Sequence, residues 1–334
     1  MSDTFNAIQA IQNEEAVDVQ LRTINRDSLS EGNVVVDVAF STINFKDGLA
    51  LEGNKGKVMR KFPMIPGIDF SGTVAESDDS NFSPGDEVIL TGWGLGEFHT
   101  GGLSQVARVQ GDWLVKKPKE LSLLDSMAIG TAGFTAMLCL LTLEKHGVLP
   151  SSGPVLVTGS SGGVGSISVS LLSNIGYEVE ALTRKPEMHA YLQELGASAV
   201  ISSDQLEEPG KIMASEKWAG VIDTVGGDIL GRIIPSVKYW GCIASCGNTA
   251  GIKFSSNVLP FILRGISLSG VESAYCPIQK RTHAWDRLSK DLPQNSLQQI
   301  TQKVHLGEVF EVASEILAGN VRGRTVVDVN KTAT

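Results

Sequence analysis

Positive charge is scarce in this 334-residue chain: 28 lysines and arginines stand against 37 aspartates and glutamates, a net charge of −9. Such a surface repels a phosphate backbone over most of its area, so nucleic acid is not expected as a main partner. Cysteine is scarcer still. Cys139, Cys242, Cys246 and Cys276 have no paired C-x-x-C spacing and are too few for a disulfide scaffold, so reduced thiols in the cytoplasm are the expectation. Five scattered histidines show no metal-ligand spacing. The first fifteen residues are polar and acidic, unlike a signal peptide, and the longest apolar run, residues 134–143, falls short of the roughly 20 residues that span a bilayer. Neither export nor a membrane partner is expected.

What is present describes a globular α/β protein: 42% hydrophobic residues, 19% charged residues and 36 glycines spread along the chain. The length exceeds what one hydrophobic core comfortably fills, which predicts two domains. Residues 33–115 are β-rich: 34–38 alternate loosely, 86–90 follow a Pro84-Gly85 turn, and 104–109 follow Gly101-Gly102. Between 122 and 147 the period becomes helical, with Ala128, Ala132, Ala136, Met137 and Leu140 on one face. After Pro154, apolar strand candidates recur at 155–158, 178–182, 199–202, 220–223, 242–245 and 266–270 with helical segments between them. That alternation predicts a six-stranded, doubly wound parallel sheet of the dinucleotide-binding kind. Helices over 281–292 and 295–318 and a strand over 324–329 complete the reading, with the tail expected to rejoin the first domain.

The strongest motif runs from Val155 to Gly165: an apolar strand, a glycine turn spaced Ser160-x-Gly162-x-x-Gly165, and a helix over 166–175. Glycines let the backbone approach a pyrophosphate, and the helix N-terminus offers unpaired N–H groups and partial positive charge. Ser160, Ser161, Gly162, Gly163 and Val164 are therefore the candidate phosphate cradle. The bland alternative, an ordinary tight turn, is weakened by the strand before it, the helix after it and the repeating units. Some 20 residues on, an NAD-preferring site places an acid on the ribose hydroxyls. Here the strand ends in Thr183-Arg184-Lys185, a hydroxyl and two cations suited to a 2′-phosphate, which predicts NADPH as cofactor over a merely solvated basic turn.

Gly102-Leu103-Ser104-Gln105-Val106, the helix before the nucleotide-binding units, Thr158 to Gly165, and Asp223-Thr224-Val225-Gly226 together resemble the medium-chain dehydrogenase/reductase superfamily over essentially the whole chain. The resemblance implies a GroES-like β-rich catalytic domain (1–125 and 274–334) and a Rossmann NADPH-binding domain (126–273). Zinc members of that superfamily carry a Cys after the early strand and a Gly-His-Glu triplet further on. Here Ser41-Thr42-Ile43-Asn44-Phe45-Lys46-Asp47 has no Cys and Gly67-Ile68-Asp69 replaces the triplet, so no metal site is expected. Asn44-Phe45-Lys46-Asp47-Gly48-Leu49-Ala50, Pro66-Gly67-Ile68-Asp69-Phe70-Ser71-Gly72, Gly92-Trp93-Gly94-Leu95-Gly96, and Pro260-Phe261-Ile262-Leu263-Arg264-Gly265 with Gly270-Val271-Glu272-Ser273 resemble the acryloyl-CoA reductase (NADPH) family in particular. That implies hydride transfer to the β-carbon of acryloyl-CoA, with hydrogen-bond donors stabilising the enolate oxygen.

Asn44, donating its amide toward substrate or the nicotinamide ribose, and Asp47, orienting Lys46 or Asn44, are the candidate catalytic residues; the alternative is a polar cluster that fixes a strand end. At position 45 the family commonly has Tyr, so Phe45 implies a cofactor contact without a phenolic proton donor. Carried over by motif, Ile262 and Ser273 are cofactor-proximal candidates. Asn248 follows a strand C-terminal end, where ligands of such sheets collect, and Asn320 precedes Gly323-Arg324-Thr325. His99 reads as an exposed loop residue, and Trp93 as either a substrate contact or a plug. A broad quinone or enone reductase and a low-turnover NADPH-binding protein remain open beside the acryloyl-CoA reading. The last strand of the nucleotide sheet, as an edge, is expected to pair with its symmetry mate in a homodimer.

Overall fold

The computed structural model describes residues 3–14 and 16–331. The chain begins with β1 (Thr4–Gln12) and β2 (Val17–Asn25), then β3 (Val34–Thr42), α1 (Phe45–Leu51), β4 (Asp69–Ser77), β5 (Glu87–Thr91), β6 (Val106–Val109) and β7 (Val115–Lys116). A long helix, α2 (Leu123–Lys145), leads to β8 (Val155–Thr158), α3 (Gly163–Asn174), β9 (Val179–Leu182), α4 (His189–Glu194), β10 (Ala199–Ile201), β11 (Trp218–Asp223) and α5 (Gly227–Ile233). Next come β12 (Val237–Ser245), α6 (Leu259–Arg264), β13 (Ser267–Gly270), α7 (Ile278–Asp291), α8 (Gln294–Ile300), β14 (Thr301–His305), α9 (Val309–Leu317) and β15 (Arg324–Asp328). Two compact units result: Met1–Thr131 with Ala274–Ser289 and Thr301–Thr334, and Ala132–Ser273 with Lys290–Ile300.

In the first unit a seven-stranded sheet runs β14-β15-β3-β4-β5-β7, with β6 also pairing β3. β3, the most heavily paired strand, bonds antiparallel to β15, β4 and β6. Its Val34, Val36 and Val38 alternate into a core shared with Phe70, Val88, Leu90 and Val327, the period-2 pattern of a half-buried strand. The second unit is a six-stranded parallel sheet in the order β10-β9-β8-β11-β12-β13, the doubly wound arrangement expected from the alternating apolar runs. Its core gathers Leu156, Leu182, Val221 and Ile243 from the strands with Leu230 and Ile233 from α5.

Three elements differ from the sequence expectation. The antiparallel β1–β2 hairpin was not anticipated, although Val17, Val19 and Leu21 alternate with Asp18, Gln20 and Arg22 along β2. The single helix expected over 295–318 is interrupted by β14, which pairs parallel with β15; pairing with a distant strand overrides the local helical pattern. Finally, α2 is buried on nearly all sides from Met127 to Leu140 instead of on one face. At 23 residues it is long and apolar enough to cross a bilayer, but 83% of its most apolar window is buried, as befits a core helix. Its helical geometry breaks at Gly130, whose φ of 50° and ψ of −156° suit glycine, and a Cβ there would lie 2.5 Å from the Arg324 guanidinium.

The C-terminal segment of the first unit is locked to its sheet by Arg281 on α7, which is fully buried. Its guanidinium donates to the Thr91 hydroxyl, to the Thr91 carbonyl (2.8 Å) and to the Ala274 carbonyl (3.1 Å), and lies 5.5 Å from the centroid of the Trp93 ring. Trp93 also stacks on Trp113 with ring centroids 6.3 Å apart and meets Tyr275 edge-on, so it fills space within this unit. Arg281→Ala would strand buried carbonyls and is expected to destabilise the protein by about 2–4 kcal/mol in urea unfolding; a loss below about 1 kcal/mol would show that this anchor is not needed.

Candidate active site

The chemistry-bearing side chains of the first unit converge where β3, β4, α1, the start of α2 and β15 meet. β3 ends on Thr42, and Asn44 occupies the N-cap position of α1, where an Asn or Asp is favoured because its side chain can serve the unpaired N–H groups. Asp47 Oδ2 accepts the backbone N–H of Asn44 at 2.8 Å and its amide at 3.0 Å, while Oδ1 accepts the N–H of Ile68 at 3.0 Å. β4 begins with Asp69, whose carboxylate accepts the Thr42 hydroxyl (2.6 Å), the Asn44 amide (3.1 Å) and the N–H of Thr131 (2.8 Å). Arg324, the first residue of β15, closes the cluster. Its guanidinium donates to Asn44 Oδ1 and Thr42 Oγ1, each at 3.0 Å, and to the Ala128 carbonyl at 3.2 Å.

This network fixes which way Asn44 points: Oδ1 must face the guanidinium, which only donates, and Nδ2 must face the carboxylates, which accept. The amide N–H expected to face a substrate is thus already engaged by Thr42, Asp47 and Asp69. Of the two partners expected for Asp47, Lys46 pairs with Glu97 at 3.0 Å, and Asn44 is the one that Asp47 holds. Thr42, Asp69 and Arg324 were missed. The signal available was the Asp that replaces the Glu of the family triplet, a buried acid that needs a cation, but the cation lies more than 250 residues further on.

Burial, reinforced by the neighbouring charge of Asp69, pushes the Asp47 carboxyl up to about 7 against the hydrogen bonds from Asn44 and Ile68. Burial also lowers the pKa of Arg324, opposed by the charges of Asp69 and Asp47. The donor set does not fit zinc. The cluster contains neither thiol nor imidazole, its carboxylates are engaged by N–H and O–H donors, and a guanidinium already provides the positive charge. Among the described residues no group of three or more His, Cys, Asp or Glu is arranged to hold a metal ion.

In the second unit the glycine turn joins β8 to α3. Gly165 packs the helix against the turn so closely that a Cβ would lie 2.3 Å from the Gly159 carbonyl. Ser160 is buried and its hydroxyl donates inward to the carbonyls of Val157 (2.6 Å) and Leu182 (3.1 Å), so its side chain braces the turn. Ser161, Gly162, Gly163 and Val164 are partly exposed, and the Gly162 N-cap gives α3 no side-chain cap, leaving N–H groups available to an anion. Beyond β9, Thr183 is buried, its hydroxyl accepting from the Lys185 N–H (3.2 Å); Arg184 is exposed, with no side-chain ion pair among the described residues. Residues of this kind in this order fit a phosphorylated dinucleotide.

The remaining candidates are more dispersed. Phe45 is 42% exposed at the start of α1, and Asn320 is exposed after α9 with its amide on Glu315 (2.9 Å). Asn248 is exposed in the loop after β12, Ile262 is 68% exposed on α6, and Ser273 accepts the Thr135 hydroxyl at 3.0 Å. His99 is only partly exposed, set edge-on against Trp113 with its ring nitrogens near the carbonyls of Thr100 (3.2 Å) and Glu31 (2.9 Å). Of the two cysteines at the C-terminal end of β12, both expected to pack in the core, Cys242 is buried and Cys246 only partly so.

Residues 30–119 match the family described as alcohol dehydrogenase GroES-like domain, and residues 163–290 that described as zinc-binding dehydrogenase. The chain is 48% identical over 310 residues to the Escherichia coli protein named probable acrylyl-CoA reductase AcuI, covering 93% of this chain and 95% of that one. It is 45% identical over 329 residues to the Ruegeria pomeroyi acrylyl-CoA reductase AcuI, covering 98% and 99%. Among solved structures, the yhdH oxidoreductase from Salmonella enterica in complex with NADP superposes with a TM-score of 0.95 at 45% identity, covering 97% of this chain and 100% of that one.

Raising the Asp47 pKa makes stability depend on pH in a definite direction. Below about 4 the carboxyl is protonated in both states; between about 4 and 7 the unfolded chain loses the proton first, so stability falls as pH rises, and above 7 this contribution is constant. Urea unfolding from pH 4 to 8 should therefore show a shallower decline for Asp47→Asn than for the wild type, by up to about 1.4 kcal/mol per pH unit. Parallel profiles would mean that Asp47 titrates normally in the fold.

Proposed function

The chain belongs to the medium-chain dehydrogenase/reductase superfamily, on the side of its acrylyl-CoA reductases and quinone-oxidoreductase-like members, and from that premise we propose that it reduces acryloyl-CoA to propanoyl-CoA with NADPH and without zinc. Residues 126–273 form the NADPH-binding domain, and 1–125 with 274–334 the catalytic domain. When bound, NADPH supplies the hydride that the β-carbon of the double bond accepts. The backbone from Ser161 to Val164 and the α3 N-terminus hold the pyrophosphate. Arg184 and Lys185, with Thr183, hold the 2′-phosphate, while Phe45, Asn248, Ile262, Ser273 and Asn320 are further cofactor-facing positions. Asn44 presents a fixed polar edge, and Asp47 acts by positioning it. Phe45 offers no hydroxyl, so the α-carbon takes its proton from water or another side chain.

The observation that carries this reading is the end of β9, where a buried Thr183 is followed by an exposed Arg184 that forms no side-chain ion pair among the described residues. Following NADPH absorbance with acryloyl-CoA, and with NADH and a simple quinone in parallel, tests it. Oxidation specific to NADPH and acryloyl-CoA is expected; turnover of quinone alone would make the protein a quinone reductase, and binding without turnover an NADPH-binding protein. The double substitution Arg184→Ala with Lys185→Ala should raise the KM for NADPH about 10- to 100-fold and leave that for NADH nearly unchanged.

The same reading makes the protein a homodimer through β13, the last strand of its sheet, which among the described residues pairs with β12 alone. Trp240 (75% exposed) and Leu263 (55%) lie on β12 and α6, the two elements preceding this edge, and suit an interface. Light scattering should give twice the chain mass, and Gly270→Pro, which removes an N–H that alternation with the Val271 N–H bonded to Ser245 points away from β12, should shift it toward monomer; a monomeric wild type would overturn the assignment.

A further inference from the structure

Between residues 46 and 61 the chain reverses its overall charge balance: Lys46, Lys55, Lys57, Arg60 and Lys61 face only Asp47 and Glu52, in a protein whose net charge is −9. Two of these cations are neutralised locally, Lys46 by Glu97 (3.0 Å) and Lys55 by Glu52 (3.2 Å), and Asp47 is buried in the cluster described above. Lys57, Arg60 and Lys61 are exposed, and among the described residues none of them forms an ion pair. Three neighbouring cations repel one another, and among the described residues no acid pairs with them.

The segment that carries them is built, not slack. The Asn54 side chain bridges it, accepting the Met59 N–H (2.7 Å) and donating to the Met59 carbonyl (3.0 Å), and the Arg60 N–H donates to the Glu97 carbonyl (2.8 Å). Met59 and Met64 are buried against Ala10 and Ala50, pinning the loop from beneath. Lys57 holds a left-handed φ of 54°, uncommon for a residue with a side chain. The loop follows α1 directly, and seven helical residues place it roughly 10 Å along the chain's path from Asn44.

We propose that Lys57, Arg60 and Lys61 form the docking site for the phosphates of coenzyme A, the nucleotide end of the thioester substrate. This inference rests on the acyl-CoA reading above and assigns that substrate's anionic end to a place in the fold. Arg60 offers planar paired donors to one phosphate, and the two lysines add compact charge for its neighbours. On an acidic surface a cationic patch also draws an anionic substrate toward it.

The test compares acryloyl-CoA with acryloyl-pantetheine, which keeps the reactive thioester but lacks the nucleotide, in the wild type and in the triple variant Lys57→Glu, Arg60→Glu, Lys61→Glu. The variant should raise the KM for acryloyl-CoA about 10- to 100-fold with kcat within about twofold, leave the KM for acryloyl-pantetheine unchanged, and leave NADPH affinity unchanged. Calorimetric titration with coenzyme A gives a readout independent of turnover and should show the same loss of affinity. Should the triple variant fold poorly by circular dichroism, Arg60→Ala should show a smaller loss of the same selectivity. An unchanged KM for acryloyl-CoA, an equal change for both thioesters, or a wild type that binds no coenzyme A would overturn the site. If the wild type turns over neither thioester yet binds coenzyme A through these three residues, the acryloyl-CoA activity falls and the phosphate site stands.

Discussion

One buried positive charge organises the first unit. The guanidinium of Arg324 reaches Thr42 at the end of β3, Asn44 at the cap of α1 and the Ala128 carbonyl near the start of α2, with the carboxylates of Asp69 and Asp47 as its counter-charges. A buried cation of this kind is tolerable only because each donor finds an acceptor and the acids supply opposite charge. The acids need it in return: without it, two carboxylates would share a site from which water is excluded. The break in α2 at Gly130 belongs to the same arrangement, because a side chain there would collide with the guanidinium. Where zinc members of the superfamily rely on a metal ion for positive charge, this chain uses a fixed organic cation, which orders polar groups but cannot coordinate a substrate oxygen as a Lewis acid.

Local patterns were legible and distant pairings were not. The six parallel strands announced themselves as apolar runs separated by helical segments, and the phosphate turn could be read because strand, glycine spacing and helix follow one another without interruption from Val155 to Asn174. β14 was hidden because Thr301–His305 carries only Thr and Val as β-formers and depends on β15 for its pairing. In the candidate site Asn44 and Asp47 stood out because they lie in one short motif, whereas the side chain that determines how Asn44 points sits 280 residues away in a different strand. Ser160 was visible as part of the turn, but that its hydroxyl points inward to two carbonyls is a consequence of packing that spacing does not reveal.

An acidic protein that handles anionic molecules has to make local exceptions to its own field. In the NADPH site proposed above the exceptions are of two physical kinds. The turn before α3 uses backbone dipoles, which add no net charge and are unaffected by neighbouring acids titrating. The end of β9 uses full charges on exposed side chains, which salt screens. The first kind suits a group bound at a fixed place in every turnover, and the second suits discrimination between molecules that differ by one phosphate.

The separation between Arg324 and its acceptors also bears on how the protein is made. Thr42, Asn44, Asp47 and Asp69 leave the ribosome long before their counter-ion exists, and β3 must wait equally long for β15, its neighbour in the finished sheet. Residues 132–273 have no such debt, since their strands pair only with one another. The nucleotide-binding sheet can therefore complete during synthesis, while β3, though it can pair early with β4 and β6, reaches its full set of neighbours only once β15 and its arginine have followed.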